Sequence, residues 1–269
     1  NLLDVDYLIG KLSLPNVYHV IHNTTSREIA TLNSPRKIER RTRKILETYA
    51  GKNLVCVSNG VKDDLVGEVG VQPASITTIY NPFNIGEIQE KAVRSMPGIP
   101  GEDYLIHVGR IHPQKRVDVL LAAFKRVNAT CKLVMLAQPT DELRKMIADE
   151  GITDRVILPG FQTNPYPWIR QARLFVLSSD YEGLPTVIIE SLICGTPVVS
   201  TDCPSGPREI LCGNLQQWLV PANNPAALAE KIESALAYDF DLGDFDAMRF
   251  CIRNVANQYL ALSDNNNNK

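Results

Sequence analysis

Short apolar runs alternate along this chain with longer stretches in which apolar residues recur every three or four positions. VYHVIH, LVCVS, ITTIY, YLIHV, KLVMLA, RVILP, RLFVLSS and PVVST are the short runs. Their near-continuous apolar character suits strands buried on both faces, as in a parallel sheet. Between them, PRKIERRTRKILETYA predicts a helix from Pro35 with Ile38, Ile45, Leu46 and Tyr49 inward. Ser58 leads into another, and Val117 to Val127 sets Val117, Leu120, Leu121, Phe124 and Val127 on one face. DELRKMIADEG, a helix opened by Asn164 and Pro165, PTVIIESLI and Asp246 to Leu262 follow the same period. This rhythm predicts an α/β protein with parallel sheets. Residues 4–14 are ambiguous. Pro97, Gly98, Pro100 and Gly101 punctuate a linker over residues 86–103, which separates a unit at 1–85 from one at 104–240.

Composition narrows the class. With 269 residues and 44% hydrophobic content, the chain suits one large or two small soluble domains. A net charge of −2 argues against nucleic acid as a partner. Six cysteines (Cys56, Cys131, Cys194, Cys203, Cys212 and Cys251) form no C-x-x-C pair, which favours reduced core thiols in a cytoplasmic protein over disulfides or zinc. No apolar run approaches the ~18 residues a membrane span needs, and no secretory signal opens the chain. The D-x-D pairs Asp4/Asp6, Asp239/Asp241 and Asp244/Asp246 lie near the chain ends without flanking ligands, so no metal site is expected. No G-x-G-x-x-G follows any strand, which disfavours a dinucleotide oxidoreductase.

The candidate chemistry concentrates in SSDYEGLPTVIIESLICGTPVVSTDCPSGPR, from Ser178 to Arg208. Gly183 permits close backbone approach, Pro185 suits a first helical turn, and Thr186 can cap it. The amides of Gly183, Leu184, Pro185's neighbours and Thr186 then favour an anion at the helix start. Glu182 and Glu190 stand eight residues apart around that turn. Ionised acids accept paired hydrogen bonds from diols, so the two carboxylates suit sugar hydroxyls. A glycosidase-type acid/base pair is the rival reading. Gly109, Arg110 and Lys115 form a cationic loop at a strand's carboxyl end, where a guanidinium and an ammonium can neutralise a diphosphate. The alternative is a pair of surface cations beside a turn. Arg36, Lys37, Arg40, Arg41, Arg43 and Lys44 make one helix strongly basic, which reads either as a solvated face or as a patch for anionic lipid.

EGLPTVIIE resembles the E-x7-E element of retaining glycosyltransferases of the GT-B fold, family 4 type (glycosyl transferases group 1). HVGRIHPQK is similar to that family's G-R-x4-K element, and VCVSNGVKDDL and ITTIYNPFNI resemble its segments before the linker. The resemblance runs from about residue 17 to 262, and the four elements stand in the family's order. It implies a GT-B architecture: a Rossmann-like donor domain at 104–240, a first domain shortened at its N-terminus, and a terminal helix within 241–263 that crosses back. Residues 264–269 read as a polar tail. It implies that Glu182 holds the donor sugar, Glu190 the ribose, and Arg110 and Lys115 the diphosphate without a metal ion. By the same resemblance His22 is expected to reach the sugar from the first domain, the alternative being a loop histidine bonded to its own backbone, and His19 is read as structural. Asn164 and Pro165 open a helix at the position where the family's loop packs on the base, so Phe161 and Tyr166 are read either as stacking residues there or as core. The expected reaction is retaining transfer of a hexose or N-acetylhexosamine, with UDP as the expected nucleotide. The expected acceptor is a saccharide or lipid-linked saccharide in surface glycan assembly, at the inner face of a membrane. The alternative is a nucleotide-sugar-binding or regulatory module without transfer. CGNLQQWLVP departs from the family's glycine-rich turn, which leaves that loop's shape open.

Overall fold

The computed structural model describes residues 2–12, 14 and 16–267. The ambiguous opening stretch forms helix α1 (Leu2–Gly10), followed by β1 (Tyr18–Ile21), α2 (Thr25–Ala30), α3 (Pro35–Tyr49), β2 (Asn53–Cys56), α4 (Asn59–Asp63) and β3 (Ser75–Thr78). The three strands pair in parallel in the order β1-β2-β3. Pro35 opens α3 as expected, because its fixed φ fits a first turn and its missing N–H has no helical partner there. Ser58 caps α4 by accepting the Val61 N–H.

The stretch expected as a linker begins with a helix, α5 (Ile85–Ala92), capped by Asn84, which accepts the Glu87 N–H. Then come β4 (Tyr104–Val108), α6 (Val117–Phe124), β5 (Lys132–Leu136), α7 (Asp141–Asp149), β6 (Val156–Ile157), α8 (Tyr166–Gln171), β7 (Leu174–Leu177), α9 (Thr186–Ile193), β8 (Val198–Thr201), α10 (Pro207–Ile210), β9 (Leu219–Val220) and α11 (Pro225–Leu236). These six strands form one parallel sheet in the order β6-β5-β4-β7-β8-β9. Its central strands are buried on both faces, which is why their sequences lack alternation. α6 stops at Phe124, short of the expected Val127, since the Arg126 and Val127 amides turn back to Ala123 and Phe124.

The terminal segment is not one helix from Asp246. A tight turn at Ala247–Phe250 gives way at Cys251 to α12 (Ile252–Asn267). The break has a partner: Phe83 N–H donates to the Phe250 carbonyl at 2.8 Å, and Ile252 N–H donates to the Phe83 carbonyl at 3.0 Å. Helical bonding yields there to pairing with a neighbouring segment. α12 then crosses to the first sheet, where Val255 packs with Val55 and Ile79. Its backbone runs on through Asn267, and the last two residues of the expected tail lie outside the described residues. Among the described residues, no helix is long and apolar enough to cross a membrane.

Candidate functional site

The order of the larger sheet reverses between β4 and β7, since the chain builds outward through β5 and β6 on one side and through β8 and β9 on the other. In such sheets the loops leaving the two switch strands splay apart and leave a crevice at their carboxyl ends. Gly109 to Arg116 leaves β4, and Ser178 to Pro185 leaves β7. Backbone and side chain tie the loops together: Asp180 N–H donates to the Gln114 carbonyl at 2.9 Å, and Ser178 Oγ donates to the Lys115 carbonyl at 2.7 Å.

Glu182 is central to the junction. Only 6% of it is exposed, and its carboxylate accepts Lys115 Nζ at 2.7 Å, Ser179 Oγ at 2.6 Å and Gln114 Nε2 at 3.5 Å. A buried carboxylate is tolerated only with such partners, and loss of one costs on the order of 3–5 kcal/mol. Arg110 is exposed and makes no hydrogen bond or ion pair among the described residues. It borders a cavity of about 470 Å³ with Gly109, Gln138, Thr140, Phe161 and Pro165. Phe161 stands at this rim, 77% exposed, as an open aromatic face. Asn164 is committed elsewhere: its Nδ2 donates to the Lys91 carbonyl at 3.1 Å, joining α5 to α8. Tyr166 donates its hydroxyl to Glu190 at 3.3 Å. Burial pushes the Glu190 carboxyl up to about 6, and the Tyr166 hydrogen bond opposes this only in part.

The helix start after Gly183 differs in detail from its expected form. Thr186 is the first residue of α9, and Pro185 occupies the cap position without any side-chain capping bond. Pro185 is fixed from outside: a Cβ on Gly206, whose φ is +97°, would stand 2.3 Å from Pro185 Cδ. Leu184 is buried, so only its backbone can serve a ligand.

Here the two sheets meet. A Cβ on Gly183 would lie 1.9 Å from the His22 carbonyl oxygen, so the two backbones touch and only glycine fits. Ser58 Oγ donates to the Gly183 carbonyl at 2.7 Å, and Thr24 Oγ1 donates to the Glu182 carbonyl. Glu209 accepts the Asn59 and Gly60 amides, each at 2.8 Å, and so holds the start of α4 from across the junction. The His22 ring is exposed at this seam. His19 is buried, with Nδ1 3.0 Å from Asp6, which also accepts the Tyr49 hydroxyl at 2.8 Å. The structure therefore gathers Glu182, Lys115, Gly183 and His22 into one contact network. Arg110, Gly109 and Phe161 line a neighbouring cavity, and Glu190 lies in a separate pairing with Tyr166.

Sequence reasoning missed Gln114, Ser179 and Thr24, and it named Ser58 as a helix start without its bond to the Gly183 carbonyl. Gln114 and Ser179 stand beside residues it did name, within HPQK and SSDYE, but short polar side chains carry no spacing that announces a partner. His107 was also missed. It is fully buried on β4, its Nδ1 lies 3.0 Å from the Val176 carbonyl, and its Nε2 has no partner. Burial drives its pKa down to about 4, so the ring is neutral.

Comparison with known proteins gives the family and the fold. A family model described as glycosyl transferases group 1 matches residues 102–238. An N-acetylgalactosamine-N,N'-diacetylbacillosaminyl-diphospho-undecaprenol 4-alpha-N-acetylgalactosaminyltransferase of Campylobacter jejuni is 30% identical over 184 residues, 68% of this chain and 50% of that protein. A lipopolysaccharide 1,6-galactosyltransferase of Salmonella typhimurium is 30% identical over 173 residues, 61% of this chain and 46% of that protein. The chain spans about half the length of these relatives. In fold it is similar to Anabaena HepE in complex with UDP-glucose, with a TM-score of 0.77 at 18% identity, covering 97% of this chain and 76% of that one. It is also similar to S. aureus TarM in complex with UDP, with a TM-score of 0.70 at 22% identity, covering 91% of this chain and 50% of that one. The likeness in fold extends over nearly all of this chain, and the family match covers the whole of the larger sheet. The chain belongs to the glycosyl transferases group 1 family.

Proposed function

We propose that this chain carries the donor site of a retaining, metal-independent glycosyltransferase. It moves a hexose or N-acetylhexosamine from a UDP-sugar to a saccharide or lipid-linked saccharide acceptor in surface glycan assembly. The observation that carries this reading is the Lys115–Glu182 pair at the switch point, a cation and an acid held 2.7 Å apart between the loops after β4 and β7. Transfer places positive charge on the sugar ring and negative charge on the departing diphosphate, and fixed cations aimed at that diphosphate lower the barrier. Lys115, Arg110 and the amides at the start of α9 fill that role. Glu182 accepts sugar hydroxyls, and Glu190 takes the ribose once its proton is lost. The open face of Phe161 offers stacking area to the base. The names of the Campylobacter and Salmonella relatives support a hexose or N-acetylhexosamine, and the UDP in the solved relatives supports the nucleotide.

Titration calorimetry of the chain with UDP and uridine in EDTA tests this reading. Arg110→Ala removes an exposed cation, and Lys115→Gln removes charge while keeping a donor for Glu182. Each is expected to weaken UDP about tenfold or more, as a charge-assisted contact of 1.5–3 kcal/mol would. Uridine binding should hold. Equal losses on both ligands, or no UDP binding by the unaltered chain, would overturn the assignment.

Radiolabelled donor separates this reading from a donor-binding module without transfer, which binds the nucleotide sugar and transfers nothing.

A further inference from the structure

The unpartnered Nε2 of His107 has a chemical sign. A carbonyl can only accept, so the 3.0 Å contact with Val176 assigns the ring proton to Nδ1 and leaves a bare lone pair on Nε2. A buried acceptor without a donor costs about 1–3 kcal/mol. The lone pair borders the small space above Gly109: a Cβ built there would lie 3.4 Å from His107 Nε2 and 3.9 Å from Lys115 Cε. Lys115 also acts electrostatically on the imidazole. The ammonium has three N–H donors, and one of them shares Glu182 Oε1 with the Ser179 hydroxyl, which donates to the same oxygen.

We infer that His107 is a positioning residue for Lys115, its Nε2 accepting an ammonium N–H when a nucleoside diphosphate occupies the site. This rests on the donor-site reading. Held by Glu182 alone, Lys115 is electrically neutralised and the acid is unavailable to a sugar. A neutral imidazole acceptor orients the ammonium without cancelling its charge, which leaves that charge for the diphosphate and frees Glu182 for hydroxyls. The glycine makes this possible, since any side chain at 109 fills the space the two groups share.

Calorimetry with UDP and uridine on His107→Phe and Gly109→Ala, alongside thermal melts, tests the inference. Phenylalanine removes the orphan acceptor together with the Nδ1–H bond to the Val176 carbonyl and is slightly larger, so the melts establish that the fold persists at the assay temperature. The methyl of Gly109→Ala meets its neighbours at ordinary contact distance and at a backbone φ outside the left-handed region, so the fold should also persist. Both variants are expected to bind UDP about tenfold more weakly with uridine unchanged, a loss of one charge-assisted hydrogen bond. UDP affinity within twofold of the unaltered chain in His107→Phe overturns the inference, as does an equal loss of UDP and uridine. If the unaltered chain binds no UDP, the donor-site reading falls and this inference falls with it.

Discussion

A carboxyl raised by burial loses stability as it ionises, and Glu190 is such a group. Its folded pKa of about 6 lies above the ordinary 4.5, so the folded state holds its proton more tightly than the unfolded chain does. The corresponding stability is present below about pH 4.5 and is lost as pH rises through 6, a difference of about 2 kcal/mol for one and a half units. Glu190→Gln should remove that component: urea titrations at pH 4.5 and pH 7.5 should differ by about 2 kcal/mol less than in the unaltered chain, with the variant the more stable at pH 7.5. UDP affinity should fall, since the amide cannot accept two ribose hydroxyls. An unchanged pH dependence would return Glu190 to an ordinary surface acid. Its spacing from Glu182 was legible in the sequence, as were the Lys115 charge and the Gly183 freedom. Its proton affinity was not, because that depends on its burial in the folded chain, opposed in part by the hydrogen bond from Tyr166 on α8. The commitment of Asn164 to Lys91 was hidden for the same reason, since its partner lies on α5, far away in the chain.

Elements were read well where periodicity alone decides them and poorly where a distant segment competes for backbone bonds. α3 and the central strands needed nothing but their own patterns. The break at Cys251 needed Phe83, and the position of Pro185 needed the Gly206 loop. α3 also carries a testable property of the element. Arg36, Lys37, Arg40 and Arg43 are exposed, whereas Lys44 is paired with Asp4 and lies 5.2 Å from the Tyr7 ring centre. On α1, which packs against α3, Val5 and Leu8 are exposed on one face. Exposed cations of this number suit an anionic lipid surface, each adding about 1 kcal/mol near it. Co-sedimentation with phosphatidylserine vesicles should therefore fall about fivefold for each of these four residues changed to Ser, and binding to phosphatidylcholine alone should be weak throughout. Equal partition of the unaltered chain and the fourfold variant would mark α3 as a solvated face.

At the scale of the whole molecule, the two sheets differ in how much each can support. The larger has six strands covered by helices and holds both tryptophans, Trp168 and Trp218. The smaller has three short strands, and sheets of that size need a packed cover to be stable. α12 supplies part of that cover through Val255, which is 1% exposed and touches Val55 and Ile79. Val255→Asp would bury an unpaired charge there and cost on the order of 3–5 kcal/mol, a loss that falls on the smaller sheet. α5 packs with α8 and α9 of the larger unit, so that unit keeps its own cover when the smaller one opens. Tryptophan fluorescence reads only the larger sheet, and hydrogen exchange at the β2 amides of Leu54, Val55 and Cys56 reads the smaller. In Val255→Asp the β2 amides should lose protection at urea concentrations that leave the fluorescence midpoint nearly unchanged. Coincident loss by both probes would mean that the seam at Gly183, Ser58 and Glu209 binds the sheets into a single cooperative unit. The crevice at the switch point would then open only when the whole chain unfolds, because its two sides would share one transition.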